Sequence, residues 1–102
     1  MEYKPGSRWK STVCGTEVVV VRPPNRAVSL ECGGHPMIVP GSDGHPAVGL
    51  SPDHSTGTHV GKRYYDEETG IEVLGSKAGV GSLSVDARPL KLKKAKPLPA
   101  SD

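Results

Sequence analysis

Apolar residues come along this chain in short clusters separated by turn residues. Val18 to Val21 form a β-branched run, and the turn material Pro23-Pro24-Asn25 follows it. A second short strand, Ala27 to Glu31, then delivers Cys32 into a Gly33-Gly34 turn, which predicts a β-hairpin spanning Cys14 to Met37. Lys62 to Asp66 and Ile71 to Ser76 read as two more strands, joined by a tight connection at Glu67-Glu68-Thr69-Gly70. Leu83-Ser84-Val85 alternates as a half-buried strand, and Leu90-Lys91-Leu92-Lys93 does the same. No window carries a convincing helical period. The predicted fold class is therefore small and all-β.

The clusters also echo one another. Cys14-Gly15-Thr16-Glu17-Val18-Val19 is answered by Thr69-Gly70-Ile71-Glu72-Val73-Leu74. Leu30 to Met37 is answered by Leu83 to Leu90, with a one-residue gap where Ala78-Gly79-Val80-Gly81 faces Pro23 to Ala27. In that alignment Thr69 and Val85 stand at the two cysteine positions, and Arg88 answers His35 as a side chain facing solvent. Between the two segments, residues 40–61 are dense in Gly, Pro, Ser and Asp and read as a loop or linker.

Composition narrows what such a chain can be. Thirteen glycines, ten prolines and no Phe leave a thin, turn-rich core in 102 residues, enough for one domain or two very small lobes sharing a core. A net charge of +2 is too small to argue for nucleic acid, and four aromatic residues give few stacking platforms. The N-terminus lacks an apolar signal core, and no run approaches the roughly 20 apolar residues that span a bilayer. A cytoplasmic protein with no membrane contact is expected, and there two cysteines are more often reduced, metal-bound or redox-active than locked in a disulfide.

The two cysteine segments, Ser11-Thr12-Val13-Cys14 and Cys32-Gly33-Gly34-His35-Pro36-Met37, resemble the metal-binding hairpin of desulforedoxin and of the N-terminal domain of desulfoferrodoxin. That family holds a rubredoxin-type iron in a Cys-x-x-Cys … Cys-Cys-Gly-x-Pro-Met frame. The resemblance covers residues 8–39 and implies that Ser11 replaces the first thiolate and Gly33 the fourth, so the site is degenerate. It further implies a desulforedoxin-like lobe over residues 1–39 and, since desulforedoxin is a homodimer of such hairpins, a second lobe over residues 62–93 as a degenerate repeat packed as a pseudo-dimer. Residues 94–102 are a basic, proline-containing tail.

Three chemical states remain open for Cys14 and Cys32. The first is a metal site in which His35, with His45, His54, His59 or a second chain, completes the ligand set; Zn²⁺ tolerates mixed Cys/His sites better than a rubredoxin-type iron does. The second is a disulfide that pins the hairpin, and the third a pair of reduced, buried thiols packed as small hydrophobes. The cofactor expectation is accordingly none or one Zn, with Fe behind it. Asp53-His54-Ser55 contains the residue types of a hydrolytic triad, but three consecutive side chains cannot converge from the directions that the roles require. Ala78-Gly79-Val80-Gly81 lacks the Lys-Ser/Thr and the helix of a phosphate loop and reads as a hairpin turn. Trp9 and one of Tyr64 and Tyr65 are expected to anchor the core.

No catalytic constellation is legible, and the superoxide-reducing centre of the larger family members has no match in residues 40–102. The functional expectation is a non-catalytic accessory or interaction protein, a homodimer or a small subunit bound to a larger enzyme. The alternative is a small metalloprotein or electron carrier using Cys14 and Cys32. The tail from Lys91 onward is either a solvated edge or a docking segment, with Pro97-Leu98-Pro99 preformed for binding.

Overall fold

A computed structural model describes residues 3–41, 55 and 57–93 of the chain. Among the described residues there are nine β-strands and no helix, so the all-β expectation holds. The first four strands are β1 (Arg8–Lys10), β2 (Glu17–Arg22), β3 (Leu30–Cys32) and β4 (His35–Pro36). They are followed by β5 (Arg63–Tyr65), β6 (Glu72–Lys77), β7 (Leu83–Val85), β8 (Arg88–Pro89) and β9 (Lys91–Lys93). The β1–β4 lengths of 3, 6, 3 and 2 residues recur in β5–β8.

The strands form two antiparallel sheets, one in the order β1-β2-β6-β5-β9 and one in the order β4-β3-β7-β8. Each sheet takes strands from both halves of the chain, so the halves share one core. The pairing is symmetric in register. In the first sheet Val19 faces Leu74, with Val18 opposite Gly75 and Val20 opposite Val73. In the second, Glu31 faces Ser84, with Leu30 opposite Val85 and Cys32 opposite Leu83. Each central pair joins a residue to its counterpart in the other half, and the flanking pairs exchange around it.

This topology corrects the hairpin expectation for Cys14 to Met37. β2 and β3 lie in different sheets, and residues 23–29 carry the chain from one to the other. Two facts explain the change. β2 is already paired on both sides, by β1 and β6, and Pro23 and Pro24 have no N–H with which to continue a ladder. The connection at 78–82 likewise passes between sheets, from β6 to β7, instead of closing a hairpin. It is two residues shorter than its counterpart at 23–29, where the sequence alignment allowed one.

Alternation along β2 buries Val18 and Val20 and leaves Val21 exposed, as period-2 strand geometry requires. The core joins Trp9, Leu30, Met37, Ile71, Val73, Leu83 and Val85 to these valines, and each fully buried aliphatic contributes roughly 2 kcal/mol. Trp9 and Tyr64 anchor the core as expected, while Tyr65 is half-buried. Tyr3 adds a ring that the sequence did not flag. Its centroid lies 4.5 Å from that of Trp9, and its hydroxyl accepts from the Leu30 N–H at 2.9 Å. Tyr3 thereby ties β1 of one sheet to β3 of the other.

Candidate functional site

The turn between β1 and β2 is built by Ser11. Its Oγ accepts from the Val13 N–H at 3.1 Å and from the Cys14 N–H at 3.2 Å, and its own N–H donates to the Thr16 carbonyl. A side-chain oxygen bonded to backbone two and three residues ahead is a local alternative to a ladder, and it aims Cys14 back toward the core. Cys32 ends β3, where Gly33 (φ 66°) and Gly34 (φ 86°) turn the chain into β4. Two successive left-handed residues make a mirror-image hairpin turn, which suits glycine.

The two turns bring Cys14 Sγ and Cys32 Sγ to 3.8 Å. Neither is in a disulfide; Cys14 is half-buried and Cys32 fully buried. A third segment covers them from the other half of the chain. At Gly81 a Cβ would sit 3.0 Å from Cys32 Sγ and 3.1 Å from Cys14 Sγ, so a side chain here would press on both sulfurs. The Gly81 carbonyl accepts from Thr58 Oγ1 at 2.8 Å, and the Gly33 N–H donates to the Ser82 carbonyl.

The two thiols are unequal. Burial would raise Cys14, but the Ser11 and Thr16 hydroxyls, each 3.2 Å from its sulfur, outweigh it. Together with the backbone N–H groups of Thr16 and Gly81 they lower its pKa to about 7. Burial pushes Cys32 up to about 11, reinforced by the charge on neighbouring Cys14. Cys14 is thus the member of the pair that ionises first.

His35 is the cross-strand partner of Cys32 in the β3–β4 hairpin. Even so, among the described residues no three His, Cys, Asp or Glu side chains converge as a metal-ligand group. The structure therefore brings together two of the three expected ligands, Cys14 and Cys32, without closing a three-ligand set through His35. His59 is exposed, and its backbone N–H donates to the Tyr64 hydroxyl. His45, His54 and Asp53 lie outside the described residues, as does the tail from residue 94. The sequence missed Thr16, which had only its place two residues after Cys14 to recommend it, and Gly81, which reaches the site from far along the chain.

The equivalent corner of the second half has different chemistry on the same frame. Asp66 Oδ2 accepts from the Thr69 N–H at 3.1 Å, from Thr69 Oγ1 at 2.7 Å and from Arg88 Nη2 at 2.9 Å. Burial would raise the Asp66 carboxyl, but the bonds from Arg88 and Thr69 prevail and lower it to about 2. Arg88 was expected to face solvent; instead it is half-buried in this ion pair. Val85 and Thr69 are buried. Glu68 and Asp86 extend the network through Arg26.

Beside this network, Tyr3, Lys4, Pro5, Pro23, Pro24, Arg26 and Ala27 line an open cleft of about 450 Å³. Among the described residues no helix is long and apolar enough to cross a membrane. No family model, curated protein or solved structure matches this chain.

Proposed function

We propose that this chain is a non-catalytic accessory or interaction protein that binds a larger protein, such as an enzyme, as a small subunit. The observation that carries this reading is the cleft, where three prolines and a buried tyrosine form a stiff wall beside Lys4 and Arg26. Rigid apolar surface loses little conformational freedom on binding. Among the described residues the outer strands β9 in one sheet and β4 and β8 in the other offer further pairing positions. A photo-crosslinking residue at exposed Ala27, introduced into the full chain in its native cells, tests the reading. A single defined adduct with a larger protein is expected, with no adduct from the same probe at exposed Lys77. Adducts from Lys77 alone would defeat the cleft reading, and an adduct between two copies would support a homodimer instead.

One observation favours a second reading, a small metalloprotein or electron carrier. Two thiolates on one tetrahedral metal, with bonds of about 2.3 Å, lie about 3.8 Å apart, which matches the separation of Cys14 and Cys32. The desulforedoxin resemblance points the same way, with the remaining ligands supplied by His35 together with His45, His54 or His59, or by another chain. Elemental analysis of the purified protein decides it: a stoichiometric zinc or iron supports this reading, and metal-free protein with two titratable thiols removes it.

A further inference from the structure

We propose that Cys14 and Cys32 form a working dithiol that exchanges with a disulfide substrate, Cys14 attacking and Cys32 resolving. The geometry has three parts. The sulfurs are already in van der Waals contact at 3.8 Å, so closing to the about 2.05 Å of a disulfide takes a small side-chain movement. Access fixes the order of events, because Cys14 is half-buried whereas Cys32 is wholly removed from solvent. The attacking sulfur is held in place, with the Ser11 and Thr16 hydroxyl oxygens each 3.2 Å away as its hydrogen-bond partners.

The exchange balances without a further reagent. The Cys14 thiolate attacks one sulfur of the substrate disulfide, whose S–S bond breaks and releases one thiolate. Cys32 then gives up its proton, and its sulfur attacks Cys14 Sγ, breaking the mixed disulfide and expelling the second thiolate. The two departing thiolates take up the two protons lost by the protein. Two electrons pass from the protein dithiol to the substrate, which leaves as two thiols. Two cysteines that merely pack as hydrophobes would instead be inert or be modified independently.

The test is to treat the full, reduced chain with glutathione disulfide and read its intact mass and the glutathione released. The wild type should lose both thiols, carry no glutathione adduct and release two equivalents of glutathione. Cys32→Ser should stop at one stable adduct on Cys14, and Cys14→Ser should slow the reaction by at least about tenfold. Gly81→Ala, whose methyl group would press on both sulfurs, should accumulate the mixed disulfide. Insulin as a second substrate separates the sources: its reduction by the dithiol form points to protein disulfides, and reaction with glutathione disulfide alone to small ones. Wild-type protein that ends with two adducts, or whose thiols stay unreactive while folded, would overturn the proposal. So would thiols that open only after a chelator removes a metal, an outcome that leaves the metalloprotein reading standing. The wild-type mass readout holds whether or not the variants fold.

Discussion

The corner around Cys14 and the corner around Asp66 share a backbone frame and differ in nearly every side chain. Ser11, Cys14, Cys32 and His35 answer Asp66, Thr69, Val85 and Arg88, each one turn or one strand end from its partner. In both corners a side-chain oxygen caps the same turn, Ser11 Oγ on Cys14 N–H and Asp66 Oδ2 on Thr69 N–H. The frame therefore depends on the cap and not on sulfur. One corner closes with an ion pair and a hydroxyl; the other keeps two thiols in contact beneath Gly81. The crossovers are exchanged as well. Residues 78–82 cover the thiols, and residues 23–29 cover the ion pair, where the Asn25 N–H donates to the Thr69 carbonyl.

The comparison predicts that the Asp66 corner contributes more to stability than the Cys14 corner. Asp66→Ala strips one acceptor from three donors, leaving half-buried Arg88 without its closest anion, and should cost about 3 kcal/mol in urea denaturation. Ser11→Ala removes two backbone bonds and a weak thiol contact from a partly exposed turn and should cost about 1 kcal/mol. Equal losses would mean that the two corners do not differ as described.

Acid should expose the same difference. Asp66 is held at about 2 in the folded chain, below the 3.8 of a free aspartate. A depressed carboxyl adds stability above its unfolded value and loses it as the pH falls through the folded value. The stability supplied by Asp66, on the order of 2 kcal/mol, is then fully present above about pH 5 and gone near pH 2. Denaturation of wild type and Asp66→Asn from pH 7 to pH 2 measures it, and the two curves should converge at the acid end. A constant gap would locate the effect in packing.

How much of this was legible in the sequence follows from what each signal encodes. β-branched runs and period-2 alternation encode strands, so Val18 to Val21, Leu83 to Val85 and the class of the fold could be read directly. They do not encode partners, which is why β2 and β3 were expected to form a hairpin and instead joined different sheets. Cys14 and Cys32 were read as neighbours from the desulforedoxin resemblance and the glycine-flanked turns beside them, and their sulfurs are 3.8 Å apart. The Asp66–Arg88 pair was hidden because 22 residues separate its members and nothing local marks either one. The part that the Ser11 oxygen plays in holding the turn was not legible, because it depends on backbone groups two and three residues ahead.

The thiol corner yields the next effect, one of reactivity. With Cys14 at about 7 and Cys32 at about 11, iodoacetamide should label one thiol per folded chain, with a rate that rises through a midpoint near pH 7. Peptide mapping should place the label on Cys14, and Cys32 should react only after denaturation. Labelling of Cys32 first would reverse the roles assigned to the pair.

The smallest effect lies in the two hairpin turns that carry Cys32 and Val85. Gly33 and Gly34 make the first turn at no steric cost, whereas Asp86 (φ 48°) and Ala87 (φ 68°) make the same turn in the second half. Asp86 is compensated, since its carboxylate accepts from the Ser29 N–H at 2.9 Å and pairs with Arg26. Ala87 has only its backbone N–H bond to Glu31 Oε1, which glycine would keep. A left-handed alanine costs roughly 1 kcal/mol, and glycine returns part of that through the greater freedom it gives the unfolded chain. Ala87→Gly should therefore stabilise the protein by about 0.5 kcal/mol, seen as a small rise in the urea midpoint at unchanged slope. Gly34→Ala, the mirror experiment, should lower the midpoint by at least as much. If both changes leave it unmoved, the turns are not under the backbone constraint that their dihedral angles imply.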